Sequence, residues 1–469
     1  MRRISGAVGR LSAGFRLPQE NKVKEPLEQI AADLVAKALR AGATSADVVA
    51  VEGEEFSSVV RLGKIESLKE AGSKSLGLRA FVGTRSASAY SSDVSALDRL
   101  AERTVQMARF TSEDPASGLP DAALLGRHAG DLAIYSEDIR GLSTDEKVSL
   151  ARRAEEAARA FDPRIVNSEG SSFEAGHGLK VFANSLGFVE SYRESFCSLS
   201  VVPVASQNGS MQRDYWYSAA HSLAQLEAPE SVGRKAAERS VRRLGARKVP
   251  TARVPVVFDA ETARSLAGHV FEAARGDAIF RNASFLAGKL GERVAGENIT
   301  ILDDGLRHGG FGSRPFDDEG VAASSRPVIE NGVLRTYLLN SYAARKLKMQ
   351  TTGNAARGVA GPPGIGPKNF YLAPGIHSPD EIIRSAKTGF YVTELIGFGV
   401  NTVNGDYSRG AAGLWIENGE LAYPVEEVTL AGNLREMLRH VEMVGSDLEF
   451  RGAIAAPTVL VTGLTVAGA

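Results

Sequence analysis

TARSLAGHVFEAARGDAIFRNASFLAGKLGERVAGENITILDD, residues 262–304, is the stretch around which the rest of the chain is organised. Leu266, Val270, Phe271 and Ala274 recur at helical spacing, which predicts a helix with one apolar face turned inward and Gly276 as its stop. His269 and Glu272 stand three residues apart on that helix, on neighbouring ridges of one face, as a metal or proton-transfer pair would. The pair is incomplete as a zinc helix. Two histidines one turn apart would be needed, and the next histidine is His308.

The 469 residues suffice for two or three domains. A formal charge of -1 gives no basic stripe for direct nucleic-acid binding. The single cysteine, Cys197, cannot form an intrachain disulfide, which fits a reducing cytoplasm. No run approaches the ~18 apolar residues that span a bilayer, so no membrane partner is expected. Residues 1–21, with Arg2, Arg3, Arg10 and Arg16 and no acid before Glu20, read as a flexible basic tail, with a transit peptide as the competing reading.

Leu27, Ile30, Leu34 and Ala38 predict a helix over residues 25–41. Short alternating strands follow over 47–52, 56–62, 75–82 and 86–90, and then a helix over 94–110. The same order returns. A helix over 144–161 precedes strands over 164–170, 172–177, 180–184 and 188–204, and a helix over 231–244 closes the unit. Beyond residue 298 short strands dominate, and Asn331-Gly332 and Asn418-Gly419 carry the chemistry of two-residue hairpin turns. The fold expected is α+β in two domains. Residues 22–248 form an N-terminal duplicated helix/antiparallel-sheet unit, and residues 249–469 form a C-terminal β-rich sheet or barrel with a central packed helix.

Two segments outside the central helix look functional. Asp406, Tyr407, Ser408, Arg409 and Gly410 read as a loop that approaches a ligand or partner, or as a tight turn held by its own Asp-Arg pair. Thr352, Gly353, Asn354 and Arg357, running into a Gly/Pro stretch, read as a mobile interface loop or a disordered linker. Asp303, Asp304, Asp317, Asp318 and Glu319 lack the alternate spacing of a calcium loop and read as solvated turns. No GxSxG elbow and no phosphate-binding loop occurs.

LGERVAGENITILDDG (290–305), PFDDEGVAASSRPVIENGVL (315–334), TGNAARG (352–358), NGDYSRGAAGLWIENGEL (404–421) and AGNLREML with MVGSDLE (431–449) resemble the TldD/PmbA family, in order and with family-like spacing. The resemblance implies one of two chain types that pair as a heterodimer, a zinc-carrying TldD type and a PmbA or TldE type. Set in register through LGERV, the HExxxH positions of the zinc-carrying type fall on Ala267, Gly268 and Glu272, and RGAIAAP follows MVGSDLE where a cysteine is expected. The resemblance therefore implies a PmbA/TldE-type, non-catalytic subunit with no metal or catalytic residue of its own. A TldD-like partner would carry the zinc, and the pair would cleave peptides or unfolded proteins. Two other readings stand beside it: a hydrolase acting alone through His269 and Glu272, and a binding protein modulating DNA gyrase, with no direct nucleic-acid contact.

Overall fold

The computed structural model describes residues 26–468, so the basic tail expected over 1–21 lies outside the described residues. The N-terminal half runs α1 (Leu27–Arg40), β1 (Ser45–Arg61), β2 (Lys64–Val82), β3 (Arg85–Ser91) and α2 (Leu97–Phe110). It continues with α3 (Thr144–Ala160), β4 (Ile165–Asn184), β5 (Val189–Gln207), β6 (Ser210–Arg213), β7 (Trp216–Ala220) and α4 (Pro229–Val241). The two copies merge in one sheet, in the order β3-β2-β1-β4-β5-β6, with β7 also on β5 and the antiparallel pair β1/β4 at the centre. The duplicated unit is thus realised as two hairpins joined edge to edge. α1 and α2 cover one core with Val48, Leu78 and Val181, and α3 and α4 cover another with Phe173, Cys197 and Val201. Ser143 and Glu146 form the capping box that starts α3.

The strands are longer than the sequence predicts. The pattern breaks the strand between residues 52 and 56, yet Gly53 in that gap pairs with Ser73 on one side and Gly178 on the other. A Cβ there would stand 2.7 Å from the His177 carbonyl, so the glycine serves close backbone approach within a strand, not a turn. The turn falls at Leu62 and Gly63, both at positive φ, whose N–H groups donate to the buried Glu155 carboxylate at 2.8 Å.

The second half runs β8 (Ala252–Phe258), α5 (Ala260–Ala274), β9 (Ile301–Asp304), β10 (Ser325–Glu330), β11 (Val333–Leu334), β12 (Ala355–Ala356), β13 (Gly364–Ile365) and β14 (Asn369–Leu372). It ends with β15 (Gly389–Ile396), β16 (Asp406–Glu417), β17 (Glu420–Asn433), β18 (Val441–Val444), β19 (Ile454–Ala455) and β20 (Val459–Ala467). Strands β8, β15, β16, β17 and β20 close into a five-stranded barrel, antiparallel except for β8/β15, and β18 extends it from β20. A second sheet, β11-β10-β9-β14-β19, lies beside it. Asn331-Gly332 and Asn418-Gly419 take positive φ at both positions, as expected of their turn type.

α5 shares one core with the barrel and the second sheet, burying Ala263, Ala267, Val270, Phe271 and Ala274. Asp259 caps it, accepting from the Thr262 N–H at 2.8 Å. Gly276 is not its stop. α5 ends at Ala274, Arg275 is extended, and Gly276 begins a short helix (Gly276–Phe280) where a Cβ would strike Leu339 at 2.5 Å.

Candidate functional site

The position of α5 separates its two marked residues. Glu272 is exposed and pairs with Arg275 at 2.9 Å, while His269 turns to the ring of Tyr407, edge-on with centroids 6.1 Å apart. They form no acid/base pair. Burial, reinforced by the charge of Arg409, pushes the His269 imidazole down to about 4, so it is neutral at pH 7.

The segment 406–410 is strand, not loop. β16 pairs with β15 through Gly410 and with β17 through Asp406 to Gly410, so strand alternation turns Tyr407 and Arg409 to one face and Asp406 and Ser408 to the other. The expected Asp-Arg pair does not form. Asp406 accepts from Asn404 at 2.7 Å and Asn433 at 3.2 Å, and Arg409 donates to the Leu395 carbonyl at 3.2 Å. Tyr407 is 2% exposed, and burial pushes its phenol up to about 12. His269, Tyr407 and Arg409, marked separately in the sequence, therefore meet.

The segment 352–357 is buried rather than mobile. Thr352 and Asn354 are closed off from solvent, and β12/β13 pair across the stretch. It joins the acidic segments, which are buried too: Asp303, Asp317, Asp318 and Glu319 are at most 4% exposed, although Asp304 stays half-buried. Apart from Arg314, 3.9 Å from Asp318, the cations of this network come from distant parts of the chain. Lys180 reaches Asp318 at 2.6 Å, Arg79 reaches Glu319 at 3.5 Å, and Arg357 reaches Asp47 at 2.9 Å. Asp47 also accepts from Arg79 Nε at 3.0 Å. Asn354 donates to Asp303 at 2.8 Å, and the N–H of Ala355 and of Arg357 donate to Asp317 and Asp318. Burial, with Glu319 beside it, raises the Asp317 carboxyl above its ordinary range, while burial lowers Lys368 to about 8 against the pull of Asp303. Phe316 inserts beside this network, edge-on to Phe188 and Tyr192 at 5.5 and 5.4 Å. The whole is a seam that joins the N-terminal sheet to the C-terminal half. Among the described residues the sequence reading missed Asp47, Arg79 and Lys180, which carry no local signal beyond a charge inside a strand.

Positions 267 and 268 of α5, which lie against the second sheet and its surroundings, hold no donor atom. Ala267 lines an apolar cavity of about 30 Å³ with Ala263, Val270, Ile301, Ala456 and Val459, and Gly268 lies next to Ile454. With Glu272 turned out to Arg275, positions 267, 268 and 272 do not fit a metal ion, which normally takes three protein ligands. Among the described residues no group of three His, Cys, Asp or Glu is placed to hold one.

Three consecutive sequence profiles match: PmbA/TldA metallopeptidase domain 1 over residues 46–108, its central domain over 137–244 and its C-terminal domain over 251–468. The metalloprotease PmbA of Escherichia coli O157:H7 is 39% identical over 425 residues, covering 90% of this chain and 92% of the relative. The chain belongs to the TldD/PmbA metallopeptidase family. Another TldD/PmbA relative, the metalloprotease PmbA homolog of Haemophilus influenzae, is 35% identical and covers 95% of this chain and 97% of its own. A solved structure from Bacteroides thetaiotaomicron, described as a modulator of DNA gyrase, superposes with a TM-score of 0.87 at 27% identity, covering 94% and 99%. TldE from Thermococcus kodakarensis shares the fold, with a TM-score of 0.82 at 21% identity over 93% and 99%.

Proposed function

We propose that this chain is the PmbA/TldE-type, non-catalytic subunit of a two-component zinc metallopeptidase. The observation that carries the reading is the helix α5, which keeps the family's framework while Ala267, Gly268 and the outward Glu272 supply no ligand set. A TldD-like subunit would hold the zinc, which would supply the Lewis acid and activated water that peptide hydrolysis needs. This chain closes the chamber in the cytoplasm and holds extended peptide. Of the holding edges, β16 is excluded because both its sides are paired, whereas β2 pairs with β3 only over Leu76 to Val82. Among the described residues no strand pairs with the outer side of residues 64–75 of β2, which therefore offer backbone for an added strand.

A hydrolase working alone through His269 and Glu272 loses its support, since those residues face different partners. The gyrase-binding reading draws support from the description of the Bacteroides relative. Mixing the purified chain with a TldD-like subunit and an unfolded peptide tests the proposal. Hydrolysis should rise above that of the TldD-like subunit alone, and an unchanged rate would refute it.

A further inference from the structure

The buried charges of the seam have partners, and Arg409 is the contrast. It donates to the Leu395 carbonyl and, among the described residues, pairs with no carboxylate. Its Nε and His269 Nε2 are shielded from solvent without a well-aligned partner, and the Tyr407 hydroxyl, shielded as well, has the Arg409 guanidinium beside it as a donor, which leaves its own O–H free to donate. Tyr407 and Arg409 share a face of β16, His269 meets Tyr407 edge-on, and the charge of Arg409 acts on both rings. A guanidinium donates only, a phenol donates readily, and a neutral imidazole has one N–H to give. Two neutral donors beside one guanidinium that has no carboxylate partner among the described residues are the complement of a carboxylate.

The rim fixes the rest of the ligand. The β15–β16 connection borders the cluster: Leu395 holds Arg409, Gly410 lies against Ile396, and Val400 bridges to Tyr407. It exposes Ile396 at 55%, Phe398 at 100% and Val403 at 51%. Its backbone is tied down. The Ser408 N–H donates to Gly399 at 2.6 Å and the Asn401 N–H to Asp406 at 2.8 Å, so these side chains are presented on a fixed frame.

We propose that His269, Tyr407 and Arg409 form a binding site for the free α-carboxylate of a peptide whose last side chain is apolar, the apolar part resting on Ile396, Phe398 and Val403. The assignment builds on the reading of this chain as a peptide-holding subunit and names the end of the peptide it holds.

Calorimetric titration of the full chain alone, without a TldD-like subunit, tests it with three probes: Ac-Ala-Ala-Leu-OH, its C-terminal amide, and Ac-Ala-Glu-Leu-NH2. The free acid should bind about tenfold or more tighter than the amide, the weight of a hydrogen-bonded charge. Arg409→Gln should remove that preference. Tyr407→Phe, which keeps the ring in the core and deletes only the hydroxyl, should reduce it and leave the melting temperature unchanged. Equal binding of acid and amide, or an undiminished preference in both variants, would overturn the proposal. Binding of the glutamate-bearing amide as tight as that of the free acid would overturn the assignment to the chain terminus. Failure here with intact stimulation of a TldD-like subunit refutes the carboxylate site alone, and the converse refutes the two-component reading alone.

Discussion

Asp47 shows how much a single side chain can hold. It is 0% exposed and lies between two guanidinium groups, Arg79 from β2 and Arg357 from the other half of the molecule. Removing it leaves Arg357 without its carboxylate and Arg79 with Glu319 alone, and breaking a buried pair in this way costs about 3–5 kcal/mol. Asp47→Ala should therefore lower the unfolding free energy in urea by about 3 kcal/mol or more. Asp98→Asn, which removes the exposed partner of Lys37, should change nothing measurable. Equal effects from the two substitutions would mean that the seam contributes no more than a surface pair. The same residue shows where a sequence stops informing. Asp47 sits in an alternating apolar strand, and its counter-ions follow 32 and 310 positions later, so neither its burial nor its partners leave a local trace.

At the scale of elements, the hairpin β12/β13 decides how the halves meet. Its tip lays the Val359 carbonyl onto Gly77 in β2, where a Cβ would come within 1.8 Å of that oxygen. Backbone cannot yield as a flexible side chain can. Gly77→Ala should therefore lift the tip, expose the bonds after Arg357 to limited proteolysis and cost about 1–3 kcal/mol of stability. A digestion pattern identical to that of the parent chain would show that the tip does not need this approach. Periodicity and turn chemistry made much of the architecture legible: α1, the extent of α3, both Asn-Gly turns and the helix-sheet order of each copy follow from patterns within a few residues. What was illegible were places where glycine or acid answers a distant segment. Gly53 reads as a turn until β4 lies beside it, and Asp317, Asp318 and Glu319 read as a solvated turn until Lys180 and Arg79 arrive. The candidate site divided the same way. His269, Tyr407 and Arg409 could be marked singly by residue type, but only barrel closure and the placement of α5 bring them together and turn Glu272 away.

The whole molecule combines a TldD/PmbA metallopeptidase fold with a helix α5 that carries only a methyl and a hydrogen at positions 267 and 268. That combination fits a division of labour between two related chains, one holding the reactive metal and the other shaping the space around its substrate. The barrel and the second sheet share one continuous apolar core with α5, so the lack of ligand atoms at 267 and 268 leaves the fold intact. The most direct test is the zinc content per chain, by elemental mass spectrometry, of the protein purified alone and freed of loosely held metal. The account predicts a value near zero. One zinc per chain would contradict it, because the chain would then hold a metal site of its own away from positions 267, 268 and 272.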